Sequence, residues 1–191
     1  MDSNKLIKNC GIPRDFAKTS LDEMDFSIYD PVIESIVREL DTKLRSGTFR
    51  QDPVFLMIDG EYGNGKTRTA CHLVAAAYRG YIDNPAARGD VLRPYFAMAS
   101  EAASVRFDED SDLRAYLDDS VFLALDDINR LSGYKGEGPF VEMLIERRYY
   151  RGMSTIVTVN GYAESISGRF GSFLKQFGRL YYADAPDQRG Y

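Results

Sequence analysis

The stretch Val54-Phe55-Leu56-Met57-Ile58-Asp59-Gly60-Glu61-Tyr62-Gly63-Asn64-Gly65-Lys66-Thr67 joins a short apolar run to a glycine-rich loop closed by a lysine and a threonine. The run from Val54 to Ile58 is too short for a helix and is bounded by Pro53 and Gly60, which predicts a strand buried on both faces. Residues 66–79 then read as a helix with a small-residue face of Ala70, Ala75, Ala76 and Ala77. Between them, Gly60 to Thr67 fits G-x-x-x-x-G-K-[ST]. Such a loop lets backbone N–H groups curl around phosphates, with glycines where a Cβ would clash and a helix N-terminus aimed at the anion. Lys66 is the residue expected to reach the β- and γ-phosphates, and the Thr67 hydroxyl to ligate Mg²⁺. Gly60, Tyr62, Gly63, Asn64, Gly65, Lys66, Thr67 and Arg68 are the predicted nucleotide-binding residues.

Working outward, Tyr95-Phe96-Ala97-Met98, Val121 to Leu125, Thr155 to Val159 and Leu180 to Ala183 are four further strand candidates, with helical patterns between them. Upstream, Asp30 is an N-cap and Pro31 a first helical residue; Val32, Ile33, Ile36, Val37, Leu40 and Leu44 form an apolar stripe, and the helix should stop at Gly47. Strands alternating with helices imply parallel pairing through right-handed crossovers, hence a three-layer α/β fold with a five-stranded parallel sheet. Residues 1–27 read as an N-terminal arm and 28–191 as the nucleotide-binding domain. The chain ends shortly after the fifth strand, so a helical lid is expected to be absent or reduced.

The third strand ends in Asp126-Asp127. A phosphate-binding loop needs a second carboxylate element on a neighbouring strand, so Asp126 is expected to hold Mg²⁺ and Asp127 to polarise the attacking water as general base. The fourth strand ends in Asn160, whose amide could hydrogen-bond that water. Loop, acidic strand end and polar strand end, in that order, describe an ATPase of the additional-strand type.

Composition sets the boundaries. At 191 residues, 44% apolar and 28% charged, the chain is of single-domain size and ordinary globular make-up. No apolar run approaches the ~18 residues of a membrane-spanning helix, and no signal peptide is visible, so a cytoplasmic protein without a membrane partner is expected. Two cysteines, Cys10 and Cys71, read as reduced, inert thiols, and a lone histidine, His72, offers no zinc set. The net charge of −5 argues against coating duplex nucleic acid by bulk charge, though not against a local basic patch.

The run from Leu144 through Arg147-Arg148-Tyr149 to Asn160, the Asp126-Asp127 pair and the opening Gly11-Ile12-Pro13-Arg14-Asp15-Phe16 resemble the DnaC/IstB-type AAA+ ATPases. The resemblance covers roughly residues 10–189. It implies Walker A roles for Lys66 and Thr67, Walker B roles for Asp126 and Asp127, and a sensor 1 role for Asn160. In that family ATP sits between subunits, which implies self-association into an ATP-bridged oligomer. Arg169, in Gly168-Arg169-Phe170, is then the candidate finger acting on a neighbour's γ-phosphate, although Phe173 stands where a second arginine is usual. Arg189 is the candidate sensor 2.

By the same resemblance the segment between Pro94 and Leu117 matches the insertion that helicase loaders use on single-stranded DNA. Arg106-Phe107 supplies a cation for phosphate beside an aromatic for base stacking, with Ser100, Ser104 and Arg114 able to assist. Phe107 could equally cap the core, and Asp108, Glu109, Asp110 and Asp112 would repel a phosphate backbone. Arg147, Arg148 and Arg151 form a second basic cluster, read either as a helix C-terminus favoured by the helix dipole or as a contact to ATP or DNA. The leading expectation is an ATP- and Mg²⁺-dependent helicase loader acting with single-stranded DNA and a replicative helicase. A transposition helper, a helicase adaptor or inhibitor with little turnover, and a small-molecule P-loop kinase are the alternatives.

Overall fold

Five strands, β1 (Phe55–Gly60), β2 (Tyr95–Met98), β3 (Phe122–Asp126), β4 (Ser154–Asn160) and β5 (Gly178–Tyr182), form one parallel sheet in the order β2-β3-β4-β1-β5. Among the described residues six α-helices accompany them: α1 (Pro31–Ser46), α2 (Lys66–Asp83), α3 (Ala99–Ser104), α4 (Asp112–Asp119), α5 (Glu137–Tyr150) and α6 (Gly168–Leu174). The structure, a computed structural model, describes residues 8–18, 24, 26, 31–84, 92–129, 137–161, 166 and 168–182. The predicted strands are all present, displaced by no more than two residues at their ends. α1 stops at Gly47, which takes the left-handed conformation (φ 77°). The expected N-cap, Asp30, lies outside the described residues.

From β1 the chain steps outward to β2, returns through β3 and β4, and passes β1 to reach β5. Right-handed crossovers therefore put α2 on one face and α3 to α6 on the other. The period-two alternation of strand side chains matches this division. Leu56, Ile58, Phe96, Ala124, Ile156 and Leu180 pack with Val37 and Leu44 of α1 and Leu73 and Val74 of α2. Met57, Ala97, Leu123, Leu125, Val157 and Val159 pack with Leu117, Leu144, Ile145 and Phe173. Burial on both faces is why these strands read as continuous apolar runs.

α1 lies on α2 at very close range. A Cβ at Gly80 would stand 2.1 Å from the Leu44 carbonyl oxygen, so only glycine admits this approach. Upstream, Cys10, Ile12, Met24 and Phe26 are buried in the α2-side core, and Asn9 donates to the Tyr78 hydroxyl at 3.0 Å. Burial pushes the Cys10 thiol up to about 12, and that of Cys71 well above its ordinary value.

The basic cluster on α5 is not a free cationic surface. Arg148 is fully buried. Its Nε donates to Thr155 Oγ1 (3.1 Å), Nη1 to the Leu117 and Asp118 carbonyls (3.1 and 3.4 Å), and Nη2 to the Ser120 and Ser154 carbonyls (2.8 and 3.0 Å). Burial, with the charge of Arg151 adding to it, lowers its pKa to about 9. Arg147 pairs with Asp118, and Arg151 with Asp119 at 2.8 Å. The balancing acids come from α4, distant in sequence, and for Arg148 a contact to ATP or DNA is replaced by a buried tie between α5, the end of α4 and the start of β4. No helix among the described residues is long and apolar enough to cross a membrane.

Candidate nucleotide site at the strand ends

The connections leaving β1 and β4, which are neighbours, run to opposite sides of the sheet, and in open α/β sheets such a switch point leaves a crevice at the carboxyl ends of the strands. The loop from Gly60 to Thr67 occupies this place. At Gly60 (φ 142°) a Cβ would stand 2.2 Å from the Tyr182 carbonyl oxygen, so the loop leaves β1 at a point no side chain fits. Gly63 and Gly65 both adopt φ 82°, a conformation that turns peptide N–H groups into an anion-binding concavity. β5 braces the loop from behind: Asn64 Nδ2 donates to the Tyr182 carbonyl at 3.4 Å, and the Tyr182 hydroxyl bonds Thr69 Oγ1 at 2.7 Å.

Lys66 and Thr67 open α2. Lys66 is buried, and its Nζ donates to the carbonyls of Gly60 (2.8 Å) and Glu61 (2.5 Å). Burial lowers its pKa, while the carboxylates of Asp127, Asp126, Glu61 and Asp59 act in the opposite direction. The Thr67 hydroxyl is 3.0 Å from each carboxylate oxygen of Asp126. Asp126, only 2% exposed, also accepts from the Thr158 hydroxyl at 2.5 Å. Desolvation raises its pKa against the pull of the Thr158 and Thr67 hydrogen bonds.

Asp127 is the one non-glycine residue among those described with positive φ (61°), and its N–H donates to Thr158 Oγ1 at 3.0 Å. Asn160, half-buried at the end of β4, is held by its backbone. Its N–H donates to Asn129 Oδ1 (3.0 Å) and its carbonyl accepts from Asn129 Nδ2 (2.6 Å). On the opposite face of β1, the fully buried Asp59 takes a fork from Arg179, with Nη2 at 2.6 Å and Nε at 3.1 Å.

The donor set suits a magnesium nucleotide. A threonine hydroxyl and a buried carboxylate meeting at 3.0 Å are hard oxygen donors of the kind Mg²⁺ prefers. The glycine-lined concavity and Lys66 supply the N–H groups and the cation that phosphates require. Lys66, Thr67, Asp126, Asp127 and Asn160 thus lie together at one end of the sheet, with Tyr62 exposed at the loop's surface and Arg68 half-buried on the first turn of α2. Thr158, Asn129 and Tyr182 escaped the sequence reading. For Thr158 a signal existed, because a polar residue on an otherwise apolar buried strand, two places before Asn160, must share its face; the other two are joined to the site only by the fold.

The remaining candidates lie apart. Arg106 and Phe107 crest the turn between α3 and α4, where Phe107 is 87% exposed and therefore does not cap the core. The Arg106 guanidinium stacks 4.8 Å from the Phe107 ring centre. Asp108, Glu109 and Asp110 beside them are exposed, while Arg114 is drawn to Asp118 at 2.8 Å. Arg169, on α6, is largely exposed and pairs with Glu146 at 2.8 Å. Arg189 lies outside the described residues.

No family model matches the sequence, and no curated protein matches it either. Solved structures do match in fold. The DnaI structure is 15% identical, covering 97% of this chain and 100% of that one, with a TM-score of 0.69. The DnaC helicase loader is 19% identical, covering 89% and 99%, with a TM-score of 0.63. The replication initiator DnaA bound to AMPPCP and single-stranded DNA is 18% identical over 90% of this chain, with a TM-score of 0.63, and the chain spans 52% of its length. The fold is that of the AAA+ P-loop NTPases, with the inserted strand β4 lying between the loop-bearing β1 and the acidic β3. The DnaC/IstB-like resemblance read from the sequence agrees with these neighbours.

Proposed function

We propose that this chain is an ATPase that binds ATP with Mg²⁺, assembles with copies of itself on single-stranded DNA, and helps place a replicative helicase. The observation that carries the reading is the meeting of Thr67 and Asp126 beneath a glycine-lined loop, with Asp127 and Asn160 at the neighbouring strand ends. The bound nucleotide supplies the phosphoryl group and the metal neutralises its charge. Lys66 contributes the cation that stabilises the phosphates, Thr67 and Asp126 hold the metal, Asp127 takes a proton from the attacking water, and Asn160 holds that water in line. Arg169, whose side chain is exposed on the otherwise largely buried α6, is the group that serves a neighbouring subunit, exchanging Glu146 for phosphate.

The DNA part rests on Phe107, an 87% exposed aromatic under an arginine, the pairing that single strands use for stacking and phosphate contact. Similarity in fold to DnaC, DnaI and DnaA supports the replicative setting. A second reading, an adaptor that needs a partner before it meets DNA, draws on the exposed acids Asp108, Glu109 and Asp110 around that aromatic. Anisotropy of a labelled oligonucleotide, single-stranded or duplex, titrated with protein plus ADP or a non-hydrolysable ATP analogue, separates them. The loader reading expects tight, cooperative binding to the single strand alone and with the analogue alone, lost in Lys66→Ala and weakened in Phe107→Ala. Absence of binding in both nucleotide states refutes direct DNA engagement and leaves the adaptor. Recovery of a helicase or a transposase with the tagged protein then distinguishes a loader from a transposition helper.

A further inference from the structure

The β3–β4 backbone ladder runs from Phe122↔Ser154 to Leu125↔Val157 and goes no further. Above that point, where the acids stand, side chains replace it. The Thr158 hydroxyl has one proton and lone pairs to accept with. The proton goes to Asp126 Oδ1 at 2.5 Å, and the oxygen receives the Asp127 N–H at 3.0 Å. One buried hydroxyl, 1% exposed, therefore holds both members of the acidic pair, fixing the carboxylate of the first and the backbone of the second.

The second contact matters because of the backbone it holds. Asp127 sits at φ 61°, a left-handed conformation that aspartate tolerates better than most side chains but still adopts as a minority state, so the bond to its N–H bears on how firmly it is held. With the Thr158 hydroxyl removed, the left-handed state loses one of its holds, and the position of the Asp127 carboxylate is expected to shift. We propose that Thr158 is a positioning residue for hydrolysis: its hydroxyl holds Asp127 in the left-handed conformation that aims its carboxylate. The proposal rests on the reading of Asp127 as the hydrolytic carboxylate.

The experiment compares Thr158→Val, which keeps the shape and removes the hydroxyl, with Thr158→Ser, which keeps the hydroxyl. Three quantities are read: affinity for a fluorescent ATP analogue, single-turnover ATP hydrolysis, and hydrogen exchange of the Asp127 amide. Measured without Mg²⁺, so that the contact of Thr158 to Asp126 does not enter, Thr158→Val should bind the analogue within about 3-fold of wild type, since the lost hydroxyl bonds the two aspartates and not the phosphate loop. It should hydrolyse ATP about 10²-fold more slowly, the effect of misplacing a reacting group by roughly 1 Å. Its Asp127 amide should exchange about tenfold faster, having lost its acceptor. Thr158→Ser should restore all three to near wild type, which a packing role would not do. Should Thr158→Val fail to fold, Thr158→Ala removes the same hydroxyl and carries the same expectation. Hydrolysis and Asp127 exchange at wild-type rates in the hydroxyl-free variant overturn the proposal. If wild type shows no turnover, the hydrolytic reading falls by itself, and Asp127 exchange still decides whether Thr158 holds that residue.

Discussion

Replacing Arg148 by lysine keeps the charge and should nevertheless be among the most damaging single changes in the chain. The guanidinium spreads its donors over the Leu117, Asp118, Ser120 and Ser154 carbonyls and the Thr155 hydroxyl, acceptors on α4, on the turn before β3 and on β4. A lysine presents three protons from one atom and cannot span that set. Losing at least two charge-assisted bonds at about 1.5–3 kcal/mol each gives roughly 3–6 kcal/mol. The desolvation cost that lowers the pKa of Arg148 is not relieved, because a charge stays in the same fully buried place. That is a large share of a total stability of about 5–15 kcal/mol, and it lowers the midpoint by roughly 6–24 °C. Arg148→Met should cost at least as much, since it leaves all of these acceptors without their donor. Urea unfolding followed by circular dichroism, from pH 6 to 8 where Arg148 stays protonated, measures both. A lysine variant as stable as wild type but weakened in ATP or DNA binding would refute the structural role and restore the surface-contact reading of the α5 cluster.

Three further changes test other parts of the structure. Gly80→Ala gains about 1 kcal/mol of helix propensity but sets a methyl 2.1 Å from the Leu44 carbonyl. Overpacking at about 1–3 kcal/mol outweighs the gain, so thermal melting should fall by a few degrees; equal or higher stability would show that α1 and α2 are not in such close contact. Asp126→Asn should raise the melting point at pH 7. Burial raises the Asp126 pKa, so its contribution to stability is intact at low pH and is lost as pH rises through that raised value. The gain should read about 2–4 °C per kcal/mol recovered and vanish toward pH 4, and calorimetry showing a loss at pH 7 would contradict it. Asp127→Asn suits φ 61° at least as well as aspartate. It should melt like wild type and hold an ATP analogue, yet hydrolyse ATP about 10²–10⁴-fold more slowly, the usual contribution of a general base; an unimpaired rate would remove Asp127 from that role.

The fold was legible because its decisive signals are local. Strands buried on both faces must be continuous apolar runs, so Val54 to Ile58, Val121 to Leu125 and Thr155 to Val159 announced themselves. The loop between Gly60 and Thr67 needed glycine where Tyr182 and the left-handed turns leave no room for a side chain. The basic cluster of Arg147, Arg148 and Arg151 stayed open to two readings because the deciding groups, the acids Asp118 and Asp119 and the carbonyls around Arg148, lie on other elements. Local sequence showed three cations at a helix end, a pattern equally consistent with a dipole contact, a ligand contact or burial. Phe107 posed the same difficulty in reverse, since an aromatic after α3 could turn inward or outward, and only its 87% exposure decides. Asn129 and Tyr182 gave no warning, because their partners, the backbone of Asn160 for one and Asn64 and Thr69 for the other, are distant in sequence.

The inserted strand explains why the site needs those unforeseen residues. With β4 between β1 and β3, the start of α2 must reach across a whole strand to bring Thr67 to Asp126. What lies beneath that reach is the α2-facing side of β4, on which the pleat places Ile156, Thr158 and Asn160 in succession. Ile156 is fully buried and seals the core, Thr158 is 1% exposed and spends its hydroxyl on the two aspartates, and Asn160 is half-buried at the crevice. An apolar residue at the middle position would remove the Thr158 hydroxyl from both the Asp127 N–H and the buried Asp126 carboxylate. Along a single strand face, side chains pass from packing, to holding the acids, to meeting the solvent-facing crevice. The same spacing that makes β4 a buried strand therefore sets the order in which its residues can serve the chemistry.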